Sequence, residues 1–181
     1  YGCTSLKEVT LPKELENAAP VLSEPNVDTS EGESTEGTDY FDPDGYKSYD
    51  EAFGISVFYG CENLEKVNLP KGLTVLPYAT FCKAYKLKEV EIPDTVTILG
   101  GYCFQNCDGL RTINIPENVN SIERGAFYKS SNIAELNVPE GVTKLPMNFA
   151  SHCTELKKVT LPEGITEIKK SAFSNCDKLV D

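Results

Sequence analysis

Tryptophan is absent from this chain of 181 residues, and histidine and methionine occur once each. No apolar run approaches the roughly 18 residues that a membrane-spanning helix requires, so the sequence predicts no transmembrane segment. No glycine-rich phosphate loop is present. The single histidine, His152, precedes Cys153, but adjacent residues on a turn point in different directions and do not form a nucleophile with its base. These absences predict that the chain is not an enzyme.

Positive charge is also scarce, since the formal net charge is -11. Of the 28 acids and 17 bases, eleven acids but only one base, Lys47, lie in residues 16–51. The excess of negative charge therefore belongs to one segment, and the rest of the chain is nearly neutral. With no basic patch to meet a phosphate backbone, the sequence argues against nucleic acid as a partner.

The chain contains a repeat. Six segments end in an apolar residue followed by proline, and from the second segment onward their prolines are spaced 23 residues apart. A fixed period between 20 and 50 residues is typical of a solenoid. The segments are CTSLKEVTLP (3–12), CENLEKVNLP (61–70), AYKLKEVEIP (84–93), CDGLRTINIP (107–116), SSNIAELNVP (130–139) and CTELKKVTLP (153–162).

Each period also carries a fixed order of apolar and small positions after its proline. Apolar residues follow three and six positions later, an aromatic residue eleven positions later, and cysteine or another small residue fourteen positions later. One period differs, because Phe149-Ala150 reverses the order seen in Ala126-Phe127. The alternation in L-x-x-V-x-I indicates a strand with one buried face, and the proline that follows ends that strand.

These features predict an elongated, mostly β solenoid of the α/β horseshoe-like class. Stacked strands about 4.8 Å apart form a parallel sheet on one face, and their apolar columns merge into a core that no single repeat could bury. We expect about seven right-handed coils, with short helical turns at the Ala-Phe steps. Because the chain starts at Tyr1, inside the pattern, we expect it to be part of a longer protein, and a missing signal peptide then says nothing about location.

The pattern LxxVxIPxxVxxIxxxAFxxCxxL resembles the leucine-rich repeats of the BspA-like family, which occur in bacterial surface and secreted proteins. The resemblance covers nearly the whole chain outside the acidic segment. It implies a leucine-rich-repeat solenoid and a location on the cell surface or outside the cell. It also implies an adhesin-like role, with host or matrix proteins as partners.

An acidic insertion interrupts the first coil. Pro12 and Pro70 are 58 residues apart, 35 more than one period. We therefore expect a single solenoid over residues 1–181, with the insertion at residues 16–51. Residues 17–38 are acidic and rich in Ser, Thr and Gly, and we expect them to be mobile. Residues 39–53 are rich in aromatics that we expect to dock on the solenoid, and four of these are candidate binding residues: Tyr40, Phe41, Tyr46 and Tyr49.

The same insertion contains Asp42, Asp44 and Glu51 around Gly45, at the spacing of the later ligands of an EF-hand calcium loop. The position of the first ligand is occupied by Tyr40, which cannot coordinate the ion. The segment is therefore either a calcium site formed by the three carboxylates or a solvated acidic turn. No other cofactor is expected.

Seven cysteines are distributed along the chain, and five of them occupy the small position of the repeat. Packing explains these five, because a free cysteine behaves as a small buried hydrophobe. A disulfide between successive coils, Cys153–Cys176 or Cys82–Cys103, is the alternative. The five are Cys3, Cys61, Cys107, Cys153 and Cys176.

The outward positions of the predicted strands form the candidate binding surface, because repeat proteins commonly bind partners through such an extended face. The face has no aromatic stripe and mixes charges of both signs, so a solvated polar sheet without a ligand is the alternative. The candidate residues are Lys66, Asn68, Glu89, Glu91, Arg111, Asn114, Asn137 and Lys158.

The leading functional hypothesis is a non-enzymatic module that binds a protein ligand. The alternative is a structural spacer, which presents another domain and has no ligand of its own. We expect the chain to be a monomer.

Overall fold

The computed structural model describes Cys3, residues 5–11 and residues 57–180, which form a parallel β-solenoid. Ten strands of two or three residues run through this part of the chain. They are β1 (Glu8–Thr10), β2 (Lys66–Asn68), β3 (Val75–Leu76), β4 (Glu89–Glu91), β5 (Ile98–Leu99), β6 (Ser121–Ile122), β7 (Glu135–Asn137), β8 (Lys144–Leu145), β9 (Lys158–Thr160) and β10 (Glu167–Ile168).

The strands stack in two columns, and every pair is parallel. The first column, β1, β2, β4, β7 and β9, is formed by the L-x-x-V-x-I-P segments, and the second, β3, β5, β6, β8 and β10, by the segments that follow the prolines. The pairing joins residues 23 positions apart, as in Lys66 with Glu89 and Ile98 with Ser121. The predicted period, strand positions and parallel sheet are confirmed.

Each column has one interruption. In the second column, β6 and β8 do not pair. At the other steps of this column, the N–H groups of Gly100, Glu123 and Lys169 each donate a hydrogen bond to the strand of the preceding coil. The equivalent residue beside β8 is Pro146, which has no N–H to donate. In the first column, residues 111–114 form no strand between β4 and β7, and the amide of Ala134 still bonds to the carbonyl of Arg111.

A column of phenylalanine rings fills the interior. Neighbouring rings have centroids 5.4 to 5.8 Å apart, which is within the range of favourable aromatic contacts. The order reversed at Phe149 keeps the ring in the column but turns it, so that it meets Phe127 at 87° where Phe104 and Phe127 are stacked at 2°. The column is Phe58, Phe81, Phe104, Phe127, Phe149 and Phe173.

The predicted short helical turns at the Ala-Phe steps are wrong, because these steps form single hydrogen-bonded turns and the described residues contain no helix. Residues with positive φ flank each step, as do Ala79 and Lys83 around Phe81. A residue with left-handed backbone angles cannot continue a right-handed helix, so each step is limited to a single turn. The residues before the steps are Ala79, Tyr102, Gly125, Asn148 and Ser171. The residues after the steps are Gly60, Lys83, Asn106, Lys129, His152 and Asn175.

Four complete turns of the solenoid separate β2 from β9, so the described coils are slightly fewer than the predicted seven. Most of the first coil, including the insertion at residues 16–51 with its segments 17–38 and 39–53, lies outside the described residues. None of the described residues belongs to a helix that could cross a membrane.

The left-handed positions give a test of the backbone geometry. Lys129 has a φ of 60°, and Lys129→Gly and Lys129→Ala both remove its side chain. We expect the glycine variant to be more stable by about 1 kcal/mol, because only glycine adopts this φ without a Cβ penalty. Urea unfolding monitored by circular dichroism measures the difference.

The control is Thr154, which is exposed and is not among the residues with positive φ. There the order should reverse, with Thr154→Gly less stable than Thr154→Ala. The same order at both positions would contradict the left-handed assignment.

Candidate functional site

The first column of strands carries the candidate binding surface, called the strand face from here on. Inward residues such as Val67 and Leu136 are buried, while the residues between them point outward. Asn68 is half-buried, and the other seven candidates are exposed: Lys66, Glu89, Glu91, Arg111, Asn114, Asn137 and Lys158. All eight predicted residues therefore lie along one side of the stacked segments.

Ion pairs between successive coils occupy the first half of this face. The Lys66 ammonium lies 2.8 Å from a Glu89 carboxylate oxygen, and the Lys88 ammonium lies 2.7 Å from Glu65. The hydrogen bond and charge of Lys66 lower the pKa of Glu89, and Glu89 in turn raises the pKa of Lys66. A ligand that used these charges would have to replace contacts that the protein already makes.

The second half of the strand face has a different character. The side chains of Arg111, Asn114, Asn137 and Lys158 make no hydrogen bond or ion pair with the described residues. Glu135 lies in register with Lys158 on the neighbouring strand and is the nearest acid along that row. This half offers hydrogen-bond donors and acceptors on a fixed backbone.

A cleft of about 680 Å³ adjoins the last described coil. Its walls are mainly apolar, and two lysines stand at its side. It is lined by Lys157, Lys158, Val159, Leu161, Phe173, Leu179 and Val180.

The candidates in the insertion lie outside the described residues. These are the aromatic residues Tyr40, Phe41, Tyr46 and Tyr49 and the carboxylates Asp42, Asp44 and Glu51. Docking of the aromatics and calcium binding therefore remain predictions. Within the described ranges, no group of three or more metal-ligating side chains is close enough to hold an ion.

All seven cysteines are free thiols, so neither of the two conceivable disulfides forms. Of the five at the small position, Cys61, Cys107 and Cys153 are buried and Cys176 is half-buried, as packing predicts, but Cys3 is exposed. Cys82 and Cys103, which lie outside that position, are buried as well. Burial raises the pKa of the Cys82 thiol to about 12 and the pKa of the Cys61 thiol to about 11. Such thiols stay protonated at neutral pH and are not activated nucleophiles.

Sequence reasoning assigned the small position to packing and missed a hydrogen bond made there. The Cys107 thiol donates to the carbonyl of Phe81 in the coil before, with 3.1 Å between sulfur and oxygen. Cys153 and Cys176 make the equivalent bonds at 3.2 and 3.1 Å. Serine at position 130 in the same column was the available signal, because cysteine and serine share an S–H or O–H donor.

The Ser130 hydroxyl acts both as a hydrogen-bond donor and as an acceptor. Its fully buried hydroxyl donates to the carbonyl of Phe104 and accepts the N–H of Cys107 at 3.1 Å. These two backbone groups belong to one turn of the coil before. The hydroxyl therefore joins two coils and satisfies a donor and an acceptor at once.

His152 and Cys153 do not form a catalytic pair. The His152 ring packs edge-to-face on Tyr128 at 5.6 Å, and both of its nitrogens lie within 3.3 Å of the Asn175 amide nitrogen. The Cys153 thiol points inward to the carbonyl of Phe127, and burial raises its pKa. The imidazole is therefore engaged on the surface while the sulfur lies in the core.

Comparison with known families gives one match. The model of the BspA type leucine rich repeat region matches residues 51–180 in six copies. No curated protein matches the chain.

Solved structures with the same fold come from several bacteria. A leucine-rich repeat protein from Bacteroides ovatus is 29% identical with a TM-score of 0.68, and the match covers 70% of this chain and 33% of that one. The leucine-rich repeat protein of T. pallidum is 29% identical with a TM-score of 0.66, covering 68% and 58%. A leucine rich cell surface protein from Faecalibacterium prausnitzii is 27% identical with a TM-score of 0.56, covering 65% and 38%. The chain thus spans between a third and three fifths of these relatives.

The Ser130 contact predicts a specific order of stabilities. Ser130→Ala should lower the free energy of unfolding by about 1–3 kcal/mol, because it leaves a buried carbonyl and a buried N–H without their partner. Ser130→Cys should lose less, since a thiol serves the same position in three other coils. Urea denaturation at neutral pH compares the two, and equal losses would contradict the hydrogen-bonding role.

The buried thiols predict a loss of stability at high pH. The pKa of Cys82 is about 12 in the folded chain against the ordinary thiol value of 9.0, so between these pH values the unfolded chain releases a proton that the folded chain keeps. Stability that is fully present below pH 9 should therefore fall as the pH rises toward 12, by up to about 1.4 kcal/mol per pH unit for one thiol.

Urea midpoints measured from pH 7 to pH 11 test this loss. Lysines and tyrosines titrate in the same range, so the comparison is with Cys82→Ser, whose hydroxyl does not ionise there. The variant should lose less stability over the range than the parent chain. Parallel curves for the two proteins would refute the prediction.

Proposed function

The chain belongs to the BspA-type leucine-rich repeat family, and on that premise we propose that it is a non-enzymatic, protein-binding module of a bacterial cell-surface or secreted protein. The ligand is a protein, of which host and matrix proteins are the leading class. Binding takes place on the strand face.

One observation carries this proposal. Arg111, Asn114, Asn137 and Lys158 form an exposed polar row whose side chains make no hydrogen bond or ion pair with the described residues. The backbone beneath Asn137 and Lys158 is held by strand pairing, so no ordering of the backbone is needed there when a ligand binds. Arginine is also enriched among the residues that dominate binding energy.

The proposed location is supported by resemblance. The F. prausnitzii relative is described as a cell surface protein, and that description concerns that protein. Its similarity to this chain supports the same location here. The free thiols do not distinguish a cell-surface location from a secreted one.

A structural spacer is the second candidate function. It is favoured by the ion pairs Lys66–Glu89 and Lys88–Glu65, which satisfy half of the strand face internally. The exposed residues of that face also include no aromatic side chain. A spacer would present another domain without a ligand of its own.

Surface plasmon resonance on immobilised collagen, fibronectin and laminin separates the two. We expect at least one of these proteins to bind, and we expect Arg111→Glu combined with Lys158→Glu to weaken that binding about tenfold or more. The matched control combines Lys71→Glu with Lys169→Glu, two exposed lysines outside the strand face. Binding to none of the three proteins, or equal losses in the two double variants, would favour the spacer.

A further inference from the structure

The turns on the side of the Ala-Phe steps carry a net positive charge. They comprise residues 78–84, 101–107, 124–130, 147–153 and 170–176, called the turn face from here on. These segments contain four bases, Lys83, Arg124, Lys129 and Lys170, and neither aspartate nor glutamate. The chain as a whole carries a net charge of -11, so this side has the opposite sign to the rest.

Aromatic rings run along the same face. Tyr78 meets Tyr102 with centroids 5.7 Å apart, Tyr102 meets Tyr128 at 6.3 Å, and Tyr128 meets His152 at 5.6 Å. All three contacts are edge-to-face, and the Asn175 amide continues the row beyond His152. The rings hold one another in place across four coils, so the face is ordered before any partner arrives.

Two of the cations rest against rings. The Lys129 ammonium lies 5.2 Å from the centroid of Tyr128, and the Lys83 ammonium lies 5.8 Å from that of Tyr59. Contacts at this distance are attractive and limit the freedom of the lysine side chains. The face therefore presents ammonium groups beside tyrosine edges, a composition enriched at protein interfaces.

Three acids border the turn face, and two of them, Glu123 and Asp108, are tied to the backbone or to a neighbour, while Asp177 is exposed. Glu123 accepts the N–H of Gly101 at 3.0 Å. Asp108 accepts both the hydroxyl and the N–H of Ser131, at 2.6 and 3.2 Å. The carboxylates of Glu123 and Asp108 are held by these bonds.

We propose that the turn face binds an extended acidic peptide segment of a partner protein, lying along the axis of the solenoid. Lys83 and Lys129 occupy the same position two coils apart, and so do Arg124 and Lys170. Coils stacked about 4.8 Å apart place such pairs about 10 Å apart. An extended peptide in the polyproline II conformation has three residues per turn and rises about 3.1 Å per residue, so its carboxylates three residues apart lie on one side and match this spacing.

Spacing and charge favour a peptide over a nucleic acid. A nucleic acid strand carries one charge every 3.4 Å or so, which is much denser than the pairs of cations on this face. The four bases of the turn face are also fewer than the phosphate contacts on which the affinity of nucleic-acid-binding proteins depends. This surface is separate from the strand face, and the two proposals do not depend on each other.

The probe is a synthetic ten-residue peptide with glutamate at every third position and serine or threonine between, labelled for fluorescence anisotropy. The glutamine version of the same peptide is its control. We expect the glutamate peptide to bind and the glutamine peptide not to bind. Binding should weaken as salt rises, since the contacts are between exposed charges.

Two double variants locate the binding. Lys83→Glu with Lys129→Glu should weaken binding of the glutamate peptide about tenfold. Lys83→Gln with Lys129→Gln should weaken it less, which guards against a folding defect in the charge-reversed chain. Lys71→Glu with Lys144→Glu, two exposed lysines outside both faces, has the matched charge change and should leave the affinity unchanged.

Three results would overturn the proposal. One is equal weakening by the turn-face variant and by Lys71→Glu with Lys144→Glu. Another is tighter binding of a ten-nucleotide single strand than of the glutamate peptide. The third is a rise in affinity when the acids of residues 16–51 are changed to amides, because the occupant would then be the chain's own acidic segment.

Discussion

Backbone pairing between residues 23 positions apart is the constraint on which the rest of the structure depends. It joins each coil to the next in register, as Lys66 joins Glu89 and Glu135 joins Lys158. Every side chain therefore lies beside the residue that has the same place in the neighbouring repeat. The phenylalanine column, the thiol and hydroxyl bonds and the tyrosine row all follow from this single rule.

The same rule decides which charges lie close enough to be neutralised. Glu65 and Lys88, 23 positions apart, form an ion pair across the strand face, whereas Glu135 and Lys158 are in register but form none. Where the sign does not alternate, as at Arg111 and Ala134, no partner is supplied by the next coil. The segments of the turn face contain bases and neither aspartate nor glutamate. A repeat protein can thus keep a neutral scaffold and a charged surface in adjoining columns.

The sequence was a good guide wherever a property repeats with the period. Strand positions, register and the buried columns were predicted because alternation and spacing identify them directly. The prediction of helical turns was wrong because residue types such as Ala79 and Lys83 give no sign of a positive φ. Asparagine at positions 106 and 148 is, however, typical of left-handed turns. The bond made by Cys107 was missed because cysteine was considered only by its size. The turn face was missed because charges were counted along the sequence. Such a count does not show that the fold brings bases from separate repeats to one side of the solenoid. The insertion follows no period, so nothing in the repeat predicts its conformation.

Pro146 has a mechanical consequence. It removes the backbone bond between β6 and β8, and the first column lacks a strand at residues 111–114 in the same region. Under tension along the solenoid axis, the coils here resist separation through ring packing and turn bonds such as that from Gly125 to Met147. Between the other described coils, paired strands also resist this separation. The molecule is therefore two stiff stacks joined by a more compliant middle, and bending should concentrate there.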